Sequence, residues 1–66
     1  MERMLGWERV WGAYVDAVDA YRCAKGRSMR KGAKLRMFGT WARLLKWCMA
    51  HGEATPKGCS PYEVAS

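Results

Sequence analysis

Large apolar side chains recur at alternating three- and four-residue steps through the first third of this chain. The members of this seam are Met4, Trp7, Trp11, Tyr14, Val18 and Tyr21. Such spacing places side chains along one side of an α-helix, as in a coiled coil. Charged residues, including Glu8 and Asp19, fall on the opposite side. The seam predicts a helix over about residues 3–25 that ends at Gly26 and buries its apolar side against another helix.

A second apolar stripe, centred on Trp41, occupies the middle of the chain. Its other members are Met37, Phe38, Leu44, Leu45, Cys48 and Met49. At roughly 100° per residue, these side chains fall on one side of a helix. The stripe predicts a second helix over about residues 33–51. Gly52 is suited to end it, because glycine readily adopts the left-handed backbone of a C-terminal cap.

Two features of this second helix leave alternatives open. Gly39 weakens a helix interior and Thr40 is able to cap a new helix, so the stripe forms either one helix or two short helices joined by a turn. The start of the helix is also open. Either a basic loop over residues 26–32 precedes it, or the helix begins earlier with Ser28 as its N-cap.

The tail, residues 52–66, contains turn-forming residues and then a short helix signal. Ser60, Pro61 and Glu63 match a capping box with proline at the first helical position, which favours one terminal helical turn. The predicted fold is therefore all-α. It is a single small domain over residues 1–66, an antiparallel helical hairpin of two main helices with a possible short C-terminal turn.

The aromatic content suggests that the hairpin is not complete alone. A domain of 66 residues buries little core and is marginally stable. Four Trp, three Tyr and one Phe are many large rings for such a core. We therefore expect dimerisation or a partner chain to complete the fold. The residues assigned to this core or oligomer interface are Trp7, Trp11, Tyr14, Val18, Tyr21 and Trp41.

The net charge of +6 is concentrated in the middle of the chain. Residues 25–51 contain eight Lys and Arg and no acidic residue, whereas residues 1–24 and residues 52–66 each carry a net charge of −1. A basic block of this kind is typical of a surface that binds nucleic-acid phosphate, an acidic protein surface or an anionic membrane. The alternative is a solvated basic face that contributes only to solubility.

The positive charges surround the expected start of the second helix, where the helix dipole already disfavours cations. A bound phosphate would relieve this repulsion, since free backbone N–H groups at a helix start attract anions. Trp47 lies off the apolar stripe near Arg36 and Arg43, so its ring either stacks on a base or packs in a cation–π or dimer contact. The predicted nucleic-acid or partner-binding residues are Arg27, Arg30, Lys31, Lys34, Arg36, Arg43, Lys46 and Trp47.

The cysteines and the single histidine indicate no catalytic or metal centre. Three cysteines without paired spacing do not form a disulfide framework and suit a reduced, cytoplasmic setting. Cys48, His51 and Cys59 are able to join Cys23 as zinc ligands, but no C-x-x-C pair supports a structural site. No Ser-His-Asp set or glycine-rich phosphate loop is present. We expect no metal, no cofactor and no enzymatic activity.

Membrane association is not expected either. No uncharged apolar run approaches the roughly 18 residues of a spanning helix, and no signal peptide follows Met1. A membrane-surface helix is an alternative because basic residues mixed with tryptophan are typical of such helices. The mixed charge of the first helix argues against it.

Two functional hypotheses follow from these patterns. The first is a small basic binding module that contacts the phosphate backbone of DNA or RNA through residues 25–43. The second is a protein-interaction factor, an inhibitor or adaptor, that docks on an acidic or apolar surface of a larger complex, for example one that handles nucleic acid. The basic block supports the first hypothesis, and the surplus of tryptophan and methionine supports the second.

Overall fold

The structure, a computed structural model, describes residues 2–65 and the side chains of residues 6–65. Its elements are α1 (Glu2–Cys23), α2 (Arg27–His51) and α3 (Pro61–Val64), and this part of the chain contains no strand. The predicted all-α hairpin is confirmed. The molecule measures 40 × 19 × 15 Å. Its long dimension matches the length of α2, ~37 Å at about 1.5 Å per residue.

The two long helices run antiparallel. Trp7 near the start of α1 contacts Trp47 near the end of α2, and the Tyr14 ring contacts Trp41 in the middle of both helices. At the other end, the last turn of α1 lies beside the first turns of α2, where the Arg30 guanidinium lies over the Tyr21 ring. A connection of three residues, 24–26, is enough to reverse the chain direction.

The predicted basic loop over residues 26–32 is wrong, because α2 begins at Arg27 rather than near residue 33. Gly26 is the N-cap residue, with φ 88° and ψ 159°, and its carbonyl accepts a hydrogen bond from the Arg30 N–H at 3.1 Å. No side chain caps the helix, and Ser28 lies inside the first turn. Lys and Arg are good helix formers, and their propensity outweighs the repulsion of only about 0.3–1 kcal/mol per cation at a helix start.

α2 is one continuous helix through Gly39. Of the two predicted alternatives, the single helix is therefore correct, and the pair of short helices joined by a turn is not. The Thr40 hydroxyl donates to the carbonyls of Arg36 and Met37, both at 3.0 Å, and therefore does not cap a second helix. Gly52 ends α2 as predicted. Its backbone is left-handed, with φ 63°, and its N–H donates to the Cys48 carbonyl.

The core lies along the seam between α1 and α2. Tyr14 and Trp41 are buried with ring centroids 4.9 Å apart, and Trp7 stacks on Trp11 with centroids 5.6 Å apart. The seam residues Trp7, Trp11, Val18 and Tyr21 are half-buried against this core, whereas the side chain of Met4 lies outside the described residues. The buried core residues are Tyr14, Ala17, Met37, Trp41, Leu44 and Cys48.

The tail folds back over the hairpin and forms a third layer. The Tyr14 hydroxyl donates to the carbonyl of Cys59. At α3, the Glu63 N–H donates to the Ser60 hydroxyl at 3.4 Å, and Pro61 is buried at the first helical position. The predicted terminal turn, with Ser60 as N-cap and Pro61 at the first helical position, is therefore confirmed. The tail places Cys59, Val64 and Ala65 against the core, so the chain itself covers part of the hairpin.

Candidate nucleic-acid interface

All the cations predicted to bind a partner are exposed on α2. They are Arg27, Arg30, Lys31, Lys34, Arg36, Arg43 and Lys46. α2 contains no Asp or Glu, so no acidic residue of the same helix offsets these charges. The charge is therefore available to a partner, and its arrangement around the helix decides which cations act together.

Four of these cations form one stripe at the closed end of the hairpin. Arg27, Arg30, Lys31 and Lys34 follow three- and four-residue steps, so their side chains lie on the same side of the first turns of α2. The stripe is ~10 Å long at about 1.5 Å per residue. Lys25, exposed in the connection, extends the charge toward α1. We refer to these five residues as the hairpin-end cluster.

The position of Arg30 within this cluster is set by an aromatic contact. Its guanidinium carbon lies 5.8 Å from the centroid of the Tyr21 ring, a cation–π distance. Gly26, Arg27 and Arg30 line a shallow depression at the start of α2. No side chain caps the first backbone N–H groups of the helix there. The cluster thus combines cations with free backbone donors.

Arg36 and Arg43 belong to a different surface. They lie two helical turns apart and line a groove between α1 and α2, together with Thr40, Gly39 and Asp16. The Asp16 carboxylate lowers the positive potential of this groove. These two arginines therefore do not extend the hairpin-end cluster into one continuous basic face.

Trp47 does not lie free in a basic face, because it packs between the helices. Its ring centroid is 5.4 Å from that of Trp7 and 4.0 Å from that of His51, on which it stacks. The ring also lies against α1 at Gly6, where an added Cβ would come within 2.7 Å of the Trp47 Nε1 atom. This packing removes the geometric basis for base stacking by Trp47.

Lys46 is exposed, but lies ~18 Å farther along α2 than Lys34.

The cysteines are separated by burial. Cys23 is exposed, Cys48 is buried and Cys59 is half-buried, and all three are free thiols. Burial raises the pKa of the Cys59 thiol, and the Glu63 carboxylate acts in the same direction, so the reactive thiolate is disfavoured. Among the residues that the structure describes, no cluster of three His, Cys, Asp or Glu side chains is placed to hold a metal ion.

A second set of residues on α2 is apolar and at least partly exposed. Leu35, Phe38, Ala42, Leu45 and Met49 follow three- and four-residue steps along the helix, and we call them the outer stripe. Leu35 is not among the residues predicted from the sequence. The sequence placed Phe38, Leu45 and Met49 in the apolar stripe centred on Trp41, and a projection of one helix does not show which members of that stripe are buried. The signal that distinguishes the two stripes is the regular spacing from Leu35 to Met49.

The fold and this surface define a small helical hairpin whose second helix carries both a basic cluster and an exposed apolar stripe. No helix in the described part of the chain combines the length and apolar character needed to cross a membrane. No known protein family, curated protein or solved structure matches this chain.

Proposed function

We propose that this protein is a small non-enzymatic binding module that contacts the phosphate backbone of nucleic acid through the hairpin-end cluster. The observation that carries the proposal is the crowding of Lys25, Arg27, Arg30, Lys31 and Lys34 at the uncapped start of a helix without acidic residues. Cations at this end repel the helix dipole and one another. Bound phosphate oxygens would offset both repulsions, since they accept hydrogen bonds from the cations and from the free N–H groups.

The length of the cluster suits a short run of phosphates. A stripe of ~10 Å spans about three phosphates of one strand, at about 3.4 Å of helix rise per phosphate. Three to five neutralised phosphates would give a slope of about −2.7 to −4.5 in a plot of log K against log salt concentration for duplex DNA. Phosphate contacts position a protein without reading bases, so we expect little sequence preference.

The experiment is a fluorescence-anisotropy titration of labelled duplex DNA and single-stranded RNA at low salt. The test variant is Lys31→Glu with Lys34→Glu, and the matched control is Arg9→Glu with Lys57→Glu. Both pairs change the net charge equally, and all four side chains are exposed. We expect the test variant to lose about tenfold or more in affinity, which is about 1.4 kcal/mol, and to show a shallower salt slope.

Three results would overturn the proposal. They are no binding of either nucleic acid by the unmodified protein, equal losses in the test and control variants, and loss of the helical circular-dichroism signal in the test variant. Equal losses would mean that net charge alone drives binding. A loss of helicity would mean that the two lysines stabilise the fold.

A further inference from the structure

The outer stripe is a partly exposed apolar surface of α2 that lies beside the buried side of the helix, where Leu45 still packs against the core. Leu35 is 67% exposed and Met49 is 84% exposed, although both are large apolar side chains. Between them, Ala42 is exposed, and Phe38 and Leu45 are half-buried. The stripe extends ~21 Å along the helix, at about 1.5 Å per residue. Such a surface on a small domain indicates a contact that the hairpin alone does not make.

The C-terminal helix α3 widens this surface. The Tyr62 ring meets Phe38 edge to face, with centroids 5.0 Å apart, and Tyr62 is 72% exposed. The rings therefore form one apolar ridge that crosses from α2 to α3. Tyrosine and methionine are both enriched where helices are recognised, because they bury large areas and adapt to different partners.

We propose that the outer stripe docks an acidic amphipathic helix of a partner protein. The alternating three- and four-residue spacing is the pattern of a coiled-coil seam, which a second helix of the same periodicity fits. Lys31 continues the stripe at one end, and Lys34 and Lys46 follow its borders, with no acidic residue on α2. Glutamates beside the apolar face of a docked helix would pair with these lysines.

The same charges argue against other occupants. A second copy of α2 docked stripe to stripe would bring lysines against lysines, and like charges across an interface are destabilising. Nucleic acid would leave Leu35 and Met49 without an apolar partner, because its outer surface is formed by phosphate and sugar. The inference goes beyond the proposed function, since Leu35 and Met49 do not belong to the hairpin-end cluster, although Lys31 and Lys34 border both surfaces.

The test uses a designed, fluorescently labelled helical peptide, with leucines at the seam positions and glutamates beside them, titrated with the full-length chain. The test variant is Leu35→Gln with Met49→Gln. The matched control is Met29→Gln, since Met29 is also on α2 and is 64% exposed but lies off the outer stripe. We expect the test variant to weaken binding about tenfold or more and the control to leave binding nearly unchanged.

A second peptide, in which lysines replace the glutamates, tests the charge requirement, and we expect it not to bind. The proposal is overturned if the acidic peptide does not bind, if both peptides bind equally, or if test and control variants behave alike. Light scattering that shows a dimer dissociated by Leu35→Gln with Met49→Gln would instead assign the stripe to a second copy. Nucleic-acid binding lost in that variant would assign it to nucleic acid. If the unmodified protein does not bind nucleic acid, the proposed function fails, but the inference about the outer stripe stands as long as the acidic peptide binds.

Discussion

The hydroxyl of Tyr14, in the middle of α1, donates a hydrogen bond to the backbone carbonyl of Cys59, 45 residues farther along the chain. Tyr14 is only 1% exposed, and its ring packs on Trp41. One side chain therefore joins three parts of the fold, namely α1, α2 and the tail. The bond also satisfies a hydroxyl that burial would otherwise leave without a partner, which would be costly.

Removing this hydroxyl should loosen the tail without disrupting the hairpin. We expect Tyr14→Phe to lower the free energy of unfolding by about 1 kcal/mol, with an upper range near 3 kcal/mol if the Cys59 carbonyl stays buried and unpaired. For a domain of this size, about 1 kcal/mol corresponds to a fall in Tm of about 4–8 °C. Urea unfolding followed by circular dichroism measures the change. Tyr62→Phe is the control, because Tyr62 is exposed, and an equal loss there would contradict the assignment.

The same tyrosine predicts a loss of stability at high pH. The pKa of Tyr14 is raised from 10.0 to about 12, mainly by burial; the charges of Cys59 and Glu63 act in the same direction, and Arg22 opposes them. The folded state holds the proton more tightly than the unfolded state. The stabilisation is therefore complete below pH 10 and is lost as the pH rises from about 10 to about 12. The loss approaches about 3 kcal/mol, from about 1.4 kcal/mol per pKa unit.

Unfolding free energies measured at several pH values for the unmodified protein and Tyr14→Phe give the test. The variant lacks the ionisable group, so its stability should fall less steeply above pH 10. Cys59 is present in both proteins, and Cys59→Ala in both backgrounds removes its own titration from the comparison. Parallel curves for the two proteins would show that Tyr14 does not titrate in this range.

Two glycines in α1 should respond in opposite ways to the same substitution. A Cβ at Gly12 meets nothing within 4 Å, so Gly12→Ala should stabilise the protein by about 0.5–1 kcal/mol through helix propensity. A Cβ at Gly6 would come within 2.7 Å of Trp47, whose ring is held between Trp7 and His51. Gly6→Ala should therefore lose this gain or destabilise the protein. Thermal unfolding compares the two, and equal gains would mean that the Trp47 ring moves freely.

The thiols should react with iodoacetamide in the order of their exposure. Cys23 is exposed and should be alkylated first, Cys59 should react more slowly, and buried Cys48 should react last. Mass spectrometry of the digested protein gives the three rates. We also expect faster alkylation of Cys59 in Tyr14→Phe, because the tail loses its anchor. Alkylation of Cys48 as fast as Cys23 would show that the core opens on the time scale of the reaction.

Local sequence patterns predicted the helices and most of their ends. They failed at the start of α2, where favourable helix propensity opposes unfavourable charge. The apolar seam placed α1, and Gly52 and Ser60 marked a helix end and a helix start, because each signal acts within one or two turns. The start of α2 was predicted near residue 33, whereas the helix begins at Arg27. Its first turn combines favourable helix propensity with unfavourable charge at Arg27 and Arg30, and no capping side chain distinguishes the helical from the loop conformation.

The composition of the candidate interface could be predicted only in part. The exposed cations are evident from a block without acidic residues. Their division into the hairpin-end cluster and the Arg36–Arg43 groove depends on where α1 lies against α2. The role of Trp47 likewise depends on Gly6, which makes room for the indole from the other helix. A projection of one helix shows angles around its axis and carries no information about the neighbouring helix.

The sequence by itself determined that this chain forms two amphipathic helices, a capped terminal turn and a strongly basic middle segment. Those properties arise from periodicity, backbone preference and charge among residues close together in the chain. The tertiary structure decided that the tail completes the core, that Trp47 packs inside the hairpin, and that Leu35 and Met49 stay exposed. These outcomes depend on contacts between segments that are distant in the chain, such as the hydrogen bond from the Tyr14 hydroxyl to the Cys59 carbonyl.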